Sequence, residues 1–227
     1  MMHRMRERLR ADDGFGLAEL GIYAALSVVV LTICGSIFIS TLKVRTQVVE
    51  LTDAVSIGQL IATSVEEGVR NASGPPGATD ATQRLGVKSE PATAFGQLLR
   101  ARVAVGTDAG TVVWQCQAWF YSIDTRAVYA STNTTGLIDD PVSFSVVGGS
   151  HEASAGDDDW TLLGDGITFT EGHPQIFGTS TSGSQAGQAN VVLYFEVTKD
   201  GTSLVLIPTT VVNRKLEAGG TGPTTCY

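Results

Sequence analysis

At 227 residues the chain has room for one ordinary domain plus a membrane segment, and two full domains would be tight. A hydrophobic share of 43% against 17% charged residues excludes an intrinsically disordered chain. The net charge of −8 argues against a broad nucleic-acid-binding surface, because counterion release needs clustered Lys and Arg.

Residues 1–13 form a short polar leader that carries Arg4, Arg6, Arg8 and Arg10, opposed by Glu7, Asp12 and Asp13. A basic flank before an apolar run sets orientation, so the N-terminus is expected in the cytoplasm and the bulk of the chain outside it. Leu20 to Leu42 carries no charge and is long enough to cross a hydrocarbon core as a helix. A secretory signal would have a shorter apolar region and a small-residue exit, and Ser36-Ile37-Phe38-Ile39-Ser40-Thr41-Leu42 offers none. Just ahead of the run stands Glu19. A carboxylate beside so much hydrocarbon is costly without a partner and marks a functional position.

The helix is expected to continue past the membrane. Val44, Val48, Leu51, Val55, Gly58, Ala62, Val65 and Val69 recur at alternating spacings of four and three and so share one stripe. The stripe is read as packing on the protein's own domain, in preference to an independent coiled coil. Ser73-Gly74-Pro75-Pro76-Gly77 ends the helix near Asn71.

Ala78 to Phe95 reads as a connecting loop, and strand signals then dominate. Leu99 to Val105 and Thr111 to Ser122 flank a five-residue hairpin loop, Gly106 to Gly110, and the second run, with Trp114 and Trp119, is the candidate central strand. Ala127 to Ser131 and Val142 to Val147 are shorter strands. Gly148 to Asp159 is a polar loop ending in Asp157-Asp158-Asp159, and Gly178 to Ala189 is a loop rich in Gly, Ser, Thr and Gln. Asn190 to Thr198 and Ser203 to Asn213 form the clearest hairpin, joined through Asp200-Gly201. After Lys215 the Gly-rich tail reads as mobile up to Cys226.

Motifs for catalysis are missing from the sequence. His151 and His173 belong to no metal-ligand spacing, and there is no nucleophile elbow or phosphate-binding Gly-rich loop. Asp157, Asp158, Asp159 and Asp165 do not match a calcium loop and read as a solvated acidic surface. No residue is assigned a catalytic, cofactor-binding or metal-ligating role. Asn71-Ala72-Ser73 and Asn133-Thr134-Thr135 are formal glycosylation sequons. Of the three cysteines, Cys34 lies in the apolar run; Cys116 and Cys226 could form one disulfide if that part is outside the cytoplasm, or stay as two unpaired thiols.

The N-terminal region carries a resemblance. A short basic leader ending in Gly14, then Phe15, then Glu19, then a long apolar helix, resembles the signal of type IV prepilins and of the pseudopilins of type II secretion systems. The segment Trp160 to Phe169 and the order of strands are similar to the larger PilW-like minor pilins and J-type pseudopilins. Two departures stand out: Gly16 replaces the common Thr or Ser, and the helix proline of many major pilins is absent, with Gly35-Ser36 near that region.

The resemblance implies a prepilin peptidase and methyltransferase that cuts between Gly14 and Phe15 and methylates the new Phe15 amine. It implies that Glu19 pairs with that amine on a neighbouring subunit, and that the partners are other pilin subunits and an inner-membrane assembly platform. The expected architecture is α+β, a long N-terminal helix packed on an antiparallel sheet. Residues 1–14 are then leader, 15–43 membrane and assembly helix, 44–72 its amphipathic continuation, and 73–227 an extracytoplasmic β domain. The reading from a different class is an uncleaved single-pass anchor that displays a binding domain.

Overall fold

The computed structural model describes residues 16–75, 77, 86–90, 95–139, 141, 143–147, 150–154, 160–180, 190–199, 202–213 and 219–227. The leader, Gly14 and Phe15, the acidic run at 157–159 and most of the 178–189 loop lie outside them.

Helix α1 runs from Leu17 to Arg70 and belongs to two units, one reaching Val49 and one beginning at Glu50. In the first unit every described residue is exposed, with Leu20 at 63% and Leu31 at 70%. By length and composition this helix can cross a membrane, which fits a single-pass membrane protein. Three hydroxyls within the apolar run bond back to the helix. Thr32 Oγ1 donates to the Val28 carbonyl, Ser36 Oγ to Ile33 and Thr41 Oγ1 to Ile37, each at 2.8 Å. A hydroxyl that bonds back to its own helix needs no water, so these residues do not oppose a hydrocarbon setting.

In the second unit α1 buries Ala54, Gly58, Ile61, Val65, Gly68 and Val69. Gly58, Val65 and Val69 of the expected stripe are thus buried as read, and the rest of it is corrected: Val44, Val48 and Leu51 are exposed and Val55 and Ala62 only half-buried, while Ala54, Ile61 and Gly68 join the buried face. The buried face is turned toward positions where small residues let β-strands approach closely. Gly58 faces Ile207 and Val197, and Gly68 faces Trp119. The helix ends where expected. Ala72 then bridges Val103, the Ser73 N–H donates to the Arg102 carbonyl at 3.0 Å, and the Ala104 N–H donates to Asn71 at 3.0 Å.

The β part is antiparallel and follows in chain order as β1 (Val87–Glu90), β2 (Gly96–Asp108), β3 (Thr111–Ser122), β4 (Ala127–Asn133), β5 (Ser143–Val147), β6 (Ser150–Ser154), β7 (Thr161–Gly164), β8 (Ile167–Thr168), β9 (Phe177–Ser180), β10 (Asn190–Lys199) and β11 (Thr202–Val212). With α1 packed on it, the fold class is α+β. The expected single sheet is instead a five-stranded sheet ordered β1-β2-β3-β4-β7, a second sheet in which β10 pairs β11, β8 and β9, and the ribbon β5-β6. The central place of β3 holds.

Five local readings are corrected. β1 lies inside the segment read as a loop, because its polar side chains Lys88, Ser89 and Glu90 hide a strand that β2 pairs. β6 lies in the segment read as a polar loop, and β9 starts at Phe177 and runs into the next one. The β2-β3 hairpin stays paired to Asp108 and Thr111 and turns on only Ala109 and Gly110, both at positive φ, as a two-residue primed turn requires. From Gly219 onward the tail read as mobile is bound: Thr221 bridges Val113 in parallel, and Cys226 is buried.

The five-stranded sheet is covered on both faces. On the α1 side, Leu99, Ala101, Val103, Trp119, Tyr121 and Val128 join Ile61, Val65 and the inward residues of the second sheet in one core. On the other side, Leu98, Cys116, Ala118, Phe120, Tyr129 and Ile138 pack with Cys226, Trp160 and Tyr227. Alternate residues of β2 and β3 thus serve two separate cores, as the period of two dictates.

Candidate functional site

Glu19 sits in the first turn of α1, exposed, and its backbone N–H donates to the Gly16 carbonyl at 2.8 Å. The first turn leaves N–H groups without helical partners, and the partial positive charge there favours a carboxylate. Glu19 is therefore compatible with the helix start as well as with an external cation. Leu17, Leu20, Ile22 and Tyr23 around it are more than half exposed, so any group that pairs with Glu19 meets it on an apolar surface.

Cys116 and Cys226 are joined in a disulfide with their Cα atoms 5.3 Å apart. Cys34 is a free, exposed thiol. Of the four aspartates Asp157, Asp158, Asp159 and Asp165, only Asp165 is among the described residues, where no group of three or more His, Cys, Asp and Glu side chains converges. His173 stacks on the Tyr194 ring at 3.8 Å. The two sequons differ. Ala72 and Ser73 of the first are buried, whereas in the second Asn133 Oδ1 accepts from the Thr135 N–H at 2.8 Å and from Thr135 Oγ1 at 2.7 Å in an exposed turn.

The sequence reading missed a set of buried polar residues. Arg102, 2% exposed, donates from Nε to the Pro223 carbonyl at 2.9 Å. From Nη1 it reaches Ser73 at 3.2 Å and Gly74 at 3.1 Å. Its guanidinium lies 4.0 Å above the Trp114 ring. Burial lowers the Arg102 pKa from its ordinary value, a shift that Tyr227 opposes. Arg100, two residues away on the same face of β2, grips the Ile138 carbonyl and pairs with Glu90. Charges that alternate with Leu99, Ala101 and Val103 read naturally as a solvated face. The available signal was the partner strand, where Trp114, Cys116, Ala118 and Phe120 occupy the same side.

Gln97 is the second such residue. Its Oε1 accepts from the N–H groups of Ile176 and Phe177 at 2.8 and 3.0 Å, and its Nε2 donates to the Phe177 carbonyl at 2.7 Å. The carboxamide thus acts as one unit of strand backbone and fastens β9 to the first sheet.

A groove of about 380 Å³ runs between the α1 residues Leu60, Ser64 and Glu67 and the strand residues Val105, Gln115 and Gln117. Its polar groups are amides, hydroxyls and one carboxylate. Against family models, curated proteins and solved structures, the chain shows no match.

Proposed function

We propose that this chain is a structural subunit, a minor pilin or pseudopilin, of a type IV pilus or type II secretion-like filament. It works by being processed after Gly14 and by bundling its helix with those of neighbouring subunits. The observation that carries the reading is Glu19 in the first turn of an exposed apolar helix that can span a membrane. Cleavage makes a cationic amine at Phe15, and that amine on a neighbouring subunit offsets burial of the Glu19 carboxylate once helices pack away from water. The α+β architecture, with the outer part of the helix seated on antiparallel strands, supports the same reading.

The N-terminus then stays in the cytoplasm until processing and the β domain lies outside the membrane. The prepilin peptidase and methyltransferase, the other subunits and the assembly platform are the partners, and the protein carries out no catalysis of its own. Mass spectrometry of the mature N-terminus tests this. A chain beginning with methylated Phe15 is expected. An intact Met1 overturns the reading in favour of an uncleaved anchor displaying a binding domain, and a start beyond Leu42 overturns it in favour of secretion.

A further inference from the structure

Segment 219–227 is fastened to the first sheet by four kinds of contact. Thr221 exchanges backbone bonds with β3, its N–H donating to Val112 and its carbonyl accepting from Trp114, both at 2.9 Å. Trp114 Nε1 donates to the Gly219 carbonyl at 3.0 Å. Pro223 accepts from Arg102, and Cys226 is bonded to Cys116. Gly220 and Gly222, at φ values of 140° and 120°, lie so close to β3 that a Cβ would overlap Trp114 or the Val112 carbonyl. Only glycine adopts that backbone at that distance without strain.

Arg102 connects this segment to a remote part of the chain. The same guanidinium that holds Pro223 holds Ser73 and Gly74, where the chain leaves α1. A buried cation needs its full set of acceptors, because an unmet charge-assisted donor in a dry site is costly. If the segment lifts away, Arg102 loses an acceptor and its cover from water together. Its lowest-energy response is to turn toward solvent, which takes it off Ser73 and Gly74.

We infer that the Cys116–Cys226 bond latches an oxidation-dependent clasp, in which seating segment 219–227 on Trp114 and Arg102 fixes the end of α1 through the Arg102 guanidinium. Closing the latch converts two thiols to one disulfide. Two electrons and two protons pass to an oxidant of the thiol–disulfide class, which becomes a dithiol. The clasp does not depend on the filament reading; it belongs to any compartment that oxidises these thiols.

Hydrogen exchange of the full chain in detergent, oxidised and reduced, reads the coupling amide by amide. Reduction is expected to speed exchange at Trp114 and Thr221, and also at Ser73 and Ala104, whose N–H groups pair α1's exit with β2. The expected change is roughly tenfold or more, the scale of losing one charge-assisted bond. Phe195 and Ile207, paired in β10 and β11, should keep their rates. Arg102→Gln in the oxidised chain should speed Ser73 and Ala104 alike while the disulfide stays formed. The clasp is overturned if reduction frees Thr221 but leaves Ser73 and Ala104 unchanged, if it frees neither, or if Phe195 and Ile207 lose protection together with them. An oxidised Arg102→Gln chain that exchanges like the parent overturns it too, and should that variant not fold, the reduced parent chain decides.

Discussion

Gly68 of α1 lies directly against the indole of Trp119, so that a Cβ at position 68 would occupy the space of the ring's Cη2 and Cζ2 atoms. The ring is held in place, since Trp119 is fully buried and its Nε1 donates to Ser64 Oγ one helical turn away at 2.9 Å. Gly68→Ala is therefore expected to destabilise the domain by about 1–3 kcal/mol through overpacking. That outweighs the gain of up to ~1 kcal/mol that alanine brings to a helix interior. Gly58→Ala meets the Cδ1 and Cγ1 atoms of Ile207, a half-buried side chain that can turn aside, with Val197 in ordinary contact, and is expected to stay within about 1 kcal/mol of the parent. Urea unfolding of the two variants in detergent checks both, and equal destabilisation would remove the distinction between a locked ring and a flexible side chain.

Gln97 makes three bonds to the Ile176 and Phe177 backbone in a buried place, and a leucine of similar size would strand both N–H groups and take one donor from the Phe177 carbonyl. Ser89 Oγ also donates to that carbonyl, at 2.6 Å, so one acceptor keeps a partner. Gln97→Leu is expected to cost about 2–4 kcal/mol, the scale of leaving one or two buried donors unmet. Loss of protection should begin in β9, seen by hydrogen exchange of Phe177; a variant as stable as the parent would show that the amide is incidental.

Tyr121 and Tyr129 both have raised pKa values, in each case chiefly because burial disfavours the phenolate. For Tyr121 the Arg126 charge works the other way; for Tyr129 the hydrogen bond with Thr125 works the other way and the Asp165 charge adds to the rise. The unfolded chain ionises near the ordinary tyrosine value of about 10, while the folded chain holds its protons longer. Unfolding therefore releases protons above that pH, and stability present below about 10 is lost as pH climbs through the folded values. Thermal unfolding from pH 8 to 11.5 should show this fall in the parent and a shallower one in Tyr121→Phe. A steeper fall in the variant would reverse the sign.

Under the proposed function, Glu19→Ala should leave the cut after Gly14 intact, because Glu19 is assigned to assembly and Gly14 and Phe15 to processing. Incorporation into a filament should fall by roughly tenfold or more, since the Phe15 amine of a neighbour would lose its counter-charge in an apolar bundle. The N-terminal mass and the subunit content of sheared filaments measure the two steps separately. Normal incorporation would remove the role given to Glu19.

Those elements whose signal is local were legible in the sequence. The bounds of β3 were read as the structure has them, because Trp114 to Tyr121 is β-prone throughout and Gly110 precedes it. The β10-β11 hairpin and the end of α1 came from turn and breaker residues that act within a few positions. What escaped depends on partners far away in the chain. β1 is a strand because β2 pairs it, and its own side chains say otherwise. The α1 stripe was read only in part, with Gly58, Val65 and Val69, because Ala54 and Gly68 carry little hydrophobic signal, yet both are buried and Gly68 lies against Trp119. Arg102 drew no notice in the sequence and the tail up to Cys226 read as mobile, because each is held by the other through the Arg102 bond to Pro223. Of the proposed assembly site, Glu19 stood out by its chemistry alone, while Gly14 and Phe15 lie outside the described residues.

Cys116 and Cys226 are separated by 110 positions, and Trp114 and Thr221 by nearly as many. During synthesis the strands β1 to β4 can hydrogen-bond long before the segment that covers their far face has emerged. For that interval Trp114, Cys116, Ala118 and Phe120 present an open apolar surface beside two arginines. Pairings this distant are slow to form, and exposed apolar sheet is prone to association. A nascent chain of this protein thus has a period of dependence on whatever shields that surface, whether a chaperone or an export channel.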